Sequence, residues 1–261
     1  MELVDVRRTY HIGKAVDVPA LRGVSLTFEP GMLVTIVGPS GSGKTTLLNV
    51  SGLLDHADDG EIIVGGTPTS KLNDSERTAV RRNNIGFVFQ SFNLLPHLTA
   101  EENVAMPLRY ADNGARTRVP AELLGAVGLG HRIDHRPDQL SGGEQQRVAI
   151  ARALVCDAPI LLCDEPTGEL DSETANGVHD LLMALRDEGK TLVVVTHNEE
   201  LARIADRTIH MRDGLMVDDT YRASGGRAPS RGTRRKTKTP GRKPAARRKT
   251  GRTQPRRRPA R

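Results

Sequence analysis

Residues Gly38 to Thr46 read G-P-S-G-S-G-K-T-T, and this stretch decides the fold. A short apolar run, 33–37, precedes it, and a segment with helical character, 45–54, follows it. A strand, a glycine-rich turn and a helix in that order are the context of a phosphate-binding P-loop. The glycines let the backbone turn its N–H groups inward, and the helix N-terminus adds a partial positive charge. The stretch therefore predicts a nucleotide site, and a plain Gly/Ser connection is the alternative.

The side chains of this stretch have separate roles in that prediction. Lys44 can reach the β- and γ-phosphates, and the Thr45 hydroxyl can hold Mg²⁺. The residues that we assign to nucleotide binding here are Gly38, Pro39, Ser40, Gly41, Ser42, Gly43, Lys44, Thr45 and Thr46. The motif predicts a nucleotide, but it does not indicate what the hydrolysis drives.

The charge of the chain is divided unevenly. The 261 residues carry 38 Lys and Arg against 32 Asp and Glu, a net charge of +6. From Arg222 onward there are 17 basic residues and no acidic ones, which leaves 21 basic against 32 acidic in residues 1–221. The pattern predicts an acidic folded domain, 1–221, followed by a basic tail, 222–261. The tail has almost no apolar residues, so we expect it to be disordered.

Cysteine content and hydropathy exclude several classes of protein. Cys156 and Cys163 are too few for a disulfide framework, and both lie in apolar surroundings, which favours buried thiols. The first residues resemble an acidic strand and not a signal peptide. The apolar runs are far shorter than the roughly 20 residues of a spanning helix. We expect a protein that is soluble by itself, with any membrane spans supplied by other chains.

Strand and helix patterns alternate along the chain. Continuous apolar strands such as 160–163 and 191–196 are typical of a parallel sheet buried on both faces. The predicted strands are 2–6, 24–28, 33–37, 60–66, 85–89, 160–163, 191–196 and a final one at 207–212. The predicted helices are 45–54, 73–82, 100–110, 120–128, 144–154, 172–187 and 199–205. This pattern predicts an α/β fold with an all-helical insert at about 91–155. Tyr10 is placed in a polar segment between the first two strands.

Four polar or glycine residues follow predicted strands of this sheet: Gly38, Gln90, Asp164 and His197. Ligands of open α/β sheets bind at the carboxyl ends of the strands. These positions therefore form one predicted site. In it, Asp164 can complete the Mg²⁺ sphere opposite Thr45, and Glu165 can polarise the attacking water. A solvated strand end is the alternative for Glu165, and a core or capping role is the alternative for His197.

A second motif, 140–145 (L-S-G-G-E-Q), precedes an apolar helical pattern. Together with the P-loop, Gln90, the strand that ends at Asp164-Glu165, and His197, it makes the chain resemble the ATP-binding subunits of ABC transporters. The similarity covers essentially all of residues 1–221. The segments 87–96 and 166–171 resemble the branch with the lipoprotein-releasing, macrolide-export and septal cell-division ATPases. The resemblance implies a P-loop NTPase with a parallel-sheet core, an antiparallel β portion and an all-helical subdomain.

The resemblance also implies residue roles. Glu165, His197 and Gln90 would be catalytic, and Thr45, Gln90 and Asp164 would hold Mg²⁺. Tyr10 would stack on adenine, with a plain surface aromatic as the alternative. The second motif would contact ATP bound by another copy, so the partner would be a second subunit in a head-to-tail homodimer. The residues assigned to that contact are Ser141, Gly142, Gly143, Glu144 and Asp171.

Two positions depart from the family pattern. Asn198 stands where the family usually has an acidic residue, and Glu169 adds a charge to the loop before Asp171. Neither replaces a residue with an assigned catalytic role. The family pattern gives no direction for their effect on dimer affinity or rate.

The resemblance implies an Mg-dependent ATPase that powers a membrane transporter through separate transmembrane permease subunits. The branch that it resembles favours export or membrane extraction. It would be cytoplasmic and peripheral on the inner face of the cell membrane. The alternative is a regulatory ATPase that signals through a membrane partner without moving a solute. A third class is a soluble ABC-type protein that acts on DNA or ribosomes. Such proteins usually carry two ATPase domains or a long coiled coil, and this sequence has neither pattern. The basic tail could bind anionic lipid or nucleic acid, or could be a solubilising extension.

Overall fold

The structure is a computed structural model that describes residues 1–13, 16–111 and 116–222. These residues form two sheets and a set of helices. The strands are β1 (Glu2–Ile12), β2 (Val16–Thr27), β3 (Leu33–Val37), β4 (Asp59–Val64), β5 (Thr67–Pro68), β6 (Ile85–Val88), β7 (Ile160–Asp164), β8 (Thr191–Val195), β9 (Arg207–Arg212) and β10 (Leu215–Tyr221). The α-helices are α1 (Lys44–Ser51), α2 (Asp74–Asn84), α3 (Ala100–Ala105), α4 (Pro120–Ala126), α5 (Gly142–Leu154), α6 (Ser172–Asp187) and α7 (Glu199–Ile204).

The central sheet has the strand order β10-β9-β3-β8-β7-β6. Its strands run parallel except for β10, which pairs antiparallel with β9. Successive residues of one strand enter opposite apolar layers: Leu161 packs with helices α3 to α6, and Leu162 packs with α1 and the second sheet. Every position of β8 is buried for this reason. The α/β prediction with a parallel core is confirmed.

The second sheet is antiparallel, with the order β2-β1-β4-β5. Its hairpin is longer than the sequence predicts, because β1 continues to Ile12 and β2 begins at Val16. Tyr10 therefore lies in β1, paired with Val18, and its placement between two strands was wrong. The outer half of β2 is largely exposed, so no buried face produced an apolar alternation there.

Helices and turns occupy the described residues between β6 and β7. Capping boxes begin two of these helices: Thr99 with Glu102 in α3, and Ser141 with Glu144 in α5. In each box the first side chain accepts a backbone N–H, and the glutamate accepts one in return. Helix α5 packs closely on β6, because a Cβ at Gly86 would overlap the Ala153 carbonyl oxygen. At the other end of the helix, the cap Ser141 is exposed and Gly143 is buried.

The central sheet ends with β10, a strand that the sequence analysis missed when it made 207–212 the last one. Most β10 side chains are exposed, so the strand has little apolar signal. Buried Arg207 donates two hydrogen bonds to the Asp219 carboxylate and holds β10 against β9. Residues 223–261 of the predicted tail lie outside the described residues. Within the described residues, no helix is long and apolar enough to span a membrane.

Candidate active site

The P-loop connects β3 to α1, and its backbone requires glycine at defined positions. Gly38 has φ +154° and Gly43 has φ +97°, which side chains rarely adopt. A Cβ at Gly38 would overlap the Met211 carbonyl oxygen, and one at Gly43 would overlap that of Ala20. Strands β9 and β2 therefore approach the loop so closely that the turn is fixed from both sides.

Lys44 is buried at the centre of this loop. Its Nζ donates to the carbonyl oxygens of Gly38 and Pro39, both at 3.0 Å. An ammonium group has three N–H donors, so one is left for a phosphate oxygen. Burial lowers the pKa of Lys44, and the nearby Glu165 and Asp164 oppose that shift. The Ser42 hydroxyl is also buried, and it has no hydrogen-bond partner among the described residues.

Thr45 and Asp164 face each other beside the loop. The Thr45 hydroxyl donates to Asp164 Oδ1 at 3.4 Å. Burial raises the pKa of Asp164 and Glu165 adds to that rise, while Thr45 and Lys44 oppose it. The site thus sets two carboxyl groups against one ammonium group. A hydroxyl and a carboxylate are ligands that Mg²⁺ prefers, and an added divalent cation would relieve the repulsion. The residues present fit a magnesium ion.

Glu165 and His197 follow the neighbouring strands β7 and β8. The Glu165 backbone has φ +45°, which is unusual for a residue with a side chain, and its N–H donates to the Val195 carbonyl at 2.9 Å. His197 Nε2 lies 3.1 Å from Glu165 Oε1. The Glu165 side chain is 24% exposed and that of His197 is 53% exposed. The fold therefore holds a carboxylate and an imidazole together at the mouth of the P-loop.

A cavity of about 530 Å³ connects these groups. It runs from the P-loop past Glu165 and His197 to Tyr10 and Val18, which pair across β1 and β2. The Tyr10 hydroxyl donates to Asp55 at 2.8 Å, and the Arg8 guanidinium lies 4.9 Å from the centroid of the Tyr10 ring. An aromatic side chain at one end and phosphate-binding groups at the other suit a nucleotide.

Gln90 is exposed, two residues beyond the end of β6, and it is not among the described residues that line this cavity. The two residues at 92 and 93 have φ of +53° and +51°. Arg152 of α5 donates to the carbonyl oxygens of both Phe92 and Asn93, the former at 2.7 Å. The segment after Gln90 is therefore held by the helix that follows the second motif.

The second motif begins α5 at a distance from the P-loop cavity. Ser141 caps the helix, and its backbone N–H donates to Glu144 at 2.8 Å, which holds the pKa of that carboxyl below its usual value. A Cβ at Gly143 would overlap the methyl group of Thr174, and the hydroxyl group of Thr174 donates to Asp171, the cap of α6. None of these residues is among the described ones that line the P-loop cavity.

The structure thus brings together one part of the predicted site and separates the rest. The P-loop, Tyr10, Glu165 and His197 share one cavity, and Asp164 contacts Thr45 beside it. Gln90 and residues 141–144 lie elsewhere in the same chain. The sequence analysis missed Arg8, Asp55 and Arg152. The chain has many Arg and Asp residues, and nothing in the spacing of these three predicts that they contact Tyr10 or the segment after Gln90.

Comparisons with known proteins agree with this geometry. The sequence model of the ABC transporter family, described as "ABC transporter", matches residues 21–168. An uncharacterized ABC transporter ATP-binding protein of Thermotoga maritima is 52% identical, over 82% of this chain and 92% of that protein. The macrolide export ATP-binding/permease protein MacB of Chlorobium phaeobacteroides is 50% identical, over 85% of this chain. The chain spans about a third of that protein's length, since the match covers 34% of it.

A solved structure shares the fold. It is described as the dimeric structure of a post-hydrolysis state of the ATP-binding cassette MJ0796 bound to ADP and Pi. It is 44% identical, with a TM-score of 0.77, and the match covers 84% of this chain and 97% of that one. The family match over more than half of the chain and the relatives at about 50% identity lead to one conclusion: this chain belongs to the ABC transporter family, and it carries that family's ATP-binding domain.

Proposed function

We propose that this chain is the ATPase subunit of a membrane transporter, and that two copies bind ATP between them. The observation that carries the proposal is the single cavity in which the P-loop, Glu165 and His197 meet. The names of the macrolide export relatives favour export as the direction of transport. The transported compound would be selected by the transmembrane subunits.

In this proposal the P-loop holds the phosphates of ATP. The backbone N–H groups between Gly38 and Thr46 and the N-terminus of α1 supply partial positive charge. Lys44 Nζ is already fixed by two carbonyl oxygens, so its remaining donor points without reorganisation to the β- and γ-phosphates. Buried Ser42 offers a further hydroxyl. Tyr10 would stack on the adenine ring at the other end of the cavity.

Thr45 and Asp164 would hold Mg²⁺, with Gln90 as a third ligand after movement of its loop. The ion would neutralise charge that develops on the phosphate oxygens. Glu165 would accept a proton from the attacking water, because its carboxylate lies at the cavity wall beside the phosphate-binding loop. His197 Nε2, at 3.1 Å from Glu165, would fix the position of that carboxylate and contact the γ-phosphate.

The second motif would complete the ATP site of another copy. Ser141 is exposed and Gly142 half-buried at the start of α5, while Gly143 is buried. The first backbone N–H groups of a helix have no partner within the helix, and here they would form an anion site. Within one chain these residues do not line the P-loop cavity, so a head-to-tail homodimer is the arrangement that would use both halves. Glu144 would keep the start of the helix in shape, and Asp171 would face the dimer contact.

The membrane partners would be transmembrane permease subunits, and the chain would lie on the cytoplasmic face of the cell membrane through them. The name of the relatives, ATP-binding/permease protein, supports a permease as the partner. Isolation of this chain from membranes with its bound partners tests the proposal. A partner of permease size supports transport, whereas a small four-span partner would favour the signalling alternative.

The catalytic proposal predicts a specific result for Glu165→Gln. This change keeps the size of the side chain but removes the proton acceptor, so Mg-ATP turnover should fall by at least about 100-fold. ATP binding should persist, and the variant should form an ATP-dependent dimer on size-exclusion chromatography. Glu188→Gln, the same change at an exposed position just after α6, is the matched control and should keep wild-type turnover. Wild-type turnover in Glu165→Gln would refute the proposed mechanism.

A further inference from the structure

Tyr10 is held by two side chains that have no assigned role. Its hydroxyl donates to Asp55 Oδ2 at 2.8 Å. The Arg8 guanidinium carbon lies 4.9 Å from the ring centroid, in the range of a cation–π contact. Tyr10 lines the P-loop cavity, while Arg8 is not among the described residues that do so. The ring therefore has arginine on one side and the nucleotide cavity on another.

Arg8 is itself fixed. Its Nη2 donates to Asp55 Oδ1 at 2.9 Å and its Nε to Asp55 Oδ2 at 3.2 Å, which is a two-point contact with one carboxylate. Its Nη1 donates to Asp58 at 2.7 Å. The side chains of Arg8 and Asp55 are only 22% and 23% exposed. Two parallel hydrogen bonds fix the plane of a guanidinium group, so the surface offered to Tyr10 is fixed as well.

Asp55 connects this group to the P-loop helix. Helix α1 ends at Ser51, and the Asp55 N–H donates to the carbonyl of Asn49 in its last turn at 3.3 Å. Arg77 of α2, itself buried, donates to the Asp55 carbonyl at 2.9 Å. The segment that leaves the phosphate-binding helix thus extends directly to the hydroxyl of Tyr10. The two ends of the cavity are therefore connected through helix α1 and the four residues, 52–55, that follow it.

We infer that Arg8 and Asp55 are positioning residues that hold the Tyr10 ring at a set distance from the P-loop for the nucleobase. This inference deepens the proposed function and rests on it, because it assumes that the adenine stacks on Tyr10. A free tyrosine loses rotamer freedom when a base stacks on it, and that loss weakens binding. A ring already held by a hydrogen bond and a fixed cation avoids the loss. Positioning of the ring should therefore strengthen binding of the base and leave binding of the phosphates unchanged.

The test compares ADP with inorganic pyrophosphate, which lacks the base and sugar. Arg8→Lys keeps the charge but loses the planar fork. We expect it to weaken ADP binding by about threefold to tenfold and to leave pyrophosphate binding unchanged, as measured by titration calorimetry. Arg7→Lys is the matched control, because Arg7 is the adjacent arginine of β1 and contacts exposed Asp5 instead. It should bind both ligands like the wild type.

Two further variants keep the inference open to refutation if Arg8→Lys misfolds. Tyr10→Phe removes only the hydroxyl contact with Asp55, and Asp55→Asn weakens the two-point contact with Arg8. Each should weaken ADP binding at least about threefold, and pyrophosphate binding should not change. Equal loss of both ligands in these variants, or no loss of ADP binding, overturns the inference.

Tyr10→Ala separates this inference from the proposal on which it rests. If it weakens ADP binding and not pyrophosphate binding, base stacking stands, and the Arg8 and Asp55 variants alone decide the inference. If Tyr10→Ala leaves the ratio of the two affinities unchanged, the base does not stack on Tyr10. In that case both the stacking and the positioning role are wrong, while the proposed hydrolysis at the P-loop is unaffected.

Discussion

The fold buries part of the Asp164 carboxyl group, and this burial lowers the stability of the folded protein. Burial raises its pKa in the folded protein, so the unfolded chain releases this proton at lower pH than the folded chain does. Stability is therefore unaffected by this group below its unfolded pKa and falls as pH rises through the folded pKa. At neutral pH, where the unfolded chain has released this proton, the group therefore destabilises the folded protein without nucleotide.

Asp164→Asn should consequently raise the melting temperature at pH 7 and lower Mg-ATP turnover by about 100-fold or more. The gain in melting temperature should shrink as the pH is lowered towards the ordinary pKa of aspartate, because both proteins are then uncharged at this position. Thermal unfolding without nucleotide, followed across this range, is the measurement. A variant that melts below the wild type at pH 7 would contradict the assignment.

Gly143 shows how one element constrains another. A Cβ at this position would overlap the Thr174 methyl group, so the starts of α5 and α6 pack more closely than any residue except glycine allows. Gly143→Ala should destabilise the fold by about 1–3 kcal/mol, as overpacking does. Adding Thr174→Ser removes that methyl group but keeps the hydroxyl that donates to Asp171, and should restore most of the loss.

Gly142→Ala provides the control for this prediction. A Cβ there would lie 3.4 Å from the Leu170 side chain, which is an ordinary contact. The stability of Gly142→Ala should therefore stay close to that of the wild type in urea unfolding. Equal losses for the two alanine variants would show that the cause is the backbone of the helix start and not the Thr174 methyl group.

The predictability of these elements from sequence follows their burial. Strands β3, β7 and β8 are buried on both faces, so their apolar runs specified the sheet and placed Asp164 and His197 at its edge. The outer half of β2 and most of β10 are exposed, and polar residues in an exposed strand carry no period that separates them from a loop.

The same limit applies within the site. The P-loop glycines were identifiable because their positions depend on local backbone geometry. The contacts of Asp55 with Arg8 and Tyr10 join chain segments 47 and 45 residues apart, which no local pattern records. Asn198, a departure from the family pattern, accepts the N–H groups of Glu200 and Leu201 as the cap of α7. Asparagine and aspartate cap about equally well, so we expect asparagine here to preserve the start of α7.

The proposed dimer has a consequence that only the whole molecule can test. Lys44→Ala disables the P-loop of its own copy, and Ser141→Arg disables the motif that the other copy would use. Each variant alone should be inactive. A mixed dimer would contain one site with both defects and one site with neither, so mixing equal amounts should restore up to about a quarter of wild-type turnover. Mixtures that stay inactive while mixed dimers form would contradict the head-to-tail arrangement.

The basic tail, whose residues 223–261 lie outside the described part, is a separate question for the whole chain. We propose that its charges bind an anionic surface or polymer. The full chain should bind vesicles containing phosphatidylserine, or nucleic acid, with an affinity that falls steeply with salt. A chain truncated after Tyr221 should lose this binding and keep its ATPase activity. Equal binding by both chains would remove any role for the tail in it.

Helix α5 connects two functional regions of the chain. Ser141 and its neighbours stand at the first turn, and thirteen residues of helix lead to the last turn, where Arg152 holds the carbonyls of Phe92 and Asn93. A helix of that length is a stiff rod of about 20 Å. If the first turn of α5 moved towards a phosphate, the last turn would move with it. Arg152 would then either shift the segment beyond Gln90 or lose its two hydrogen bonds to that segment. A displacement of the first turn would therefore be transmitted along the helix to the loop beyond Gln90.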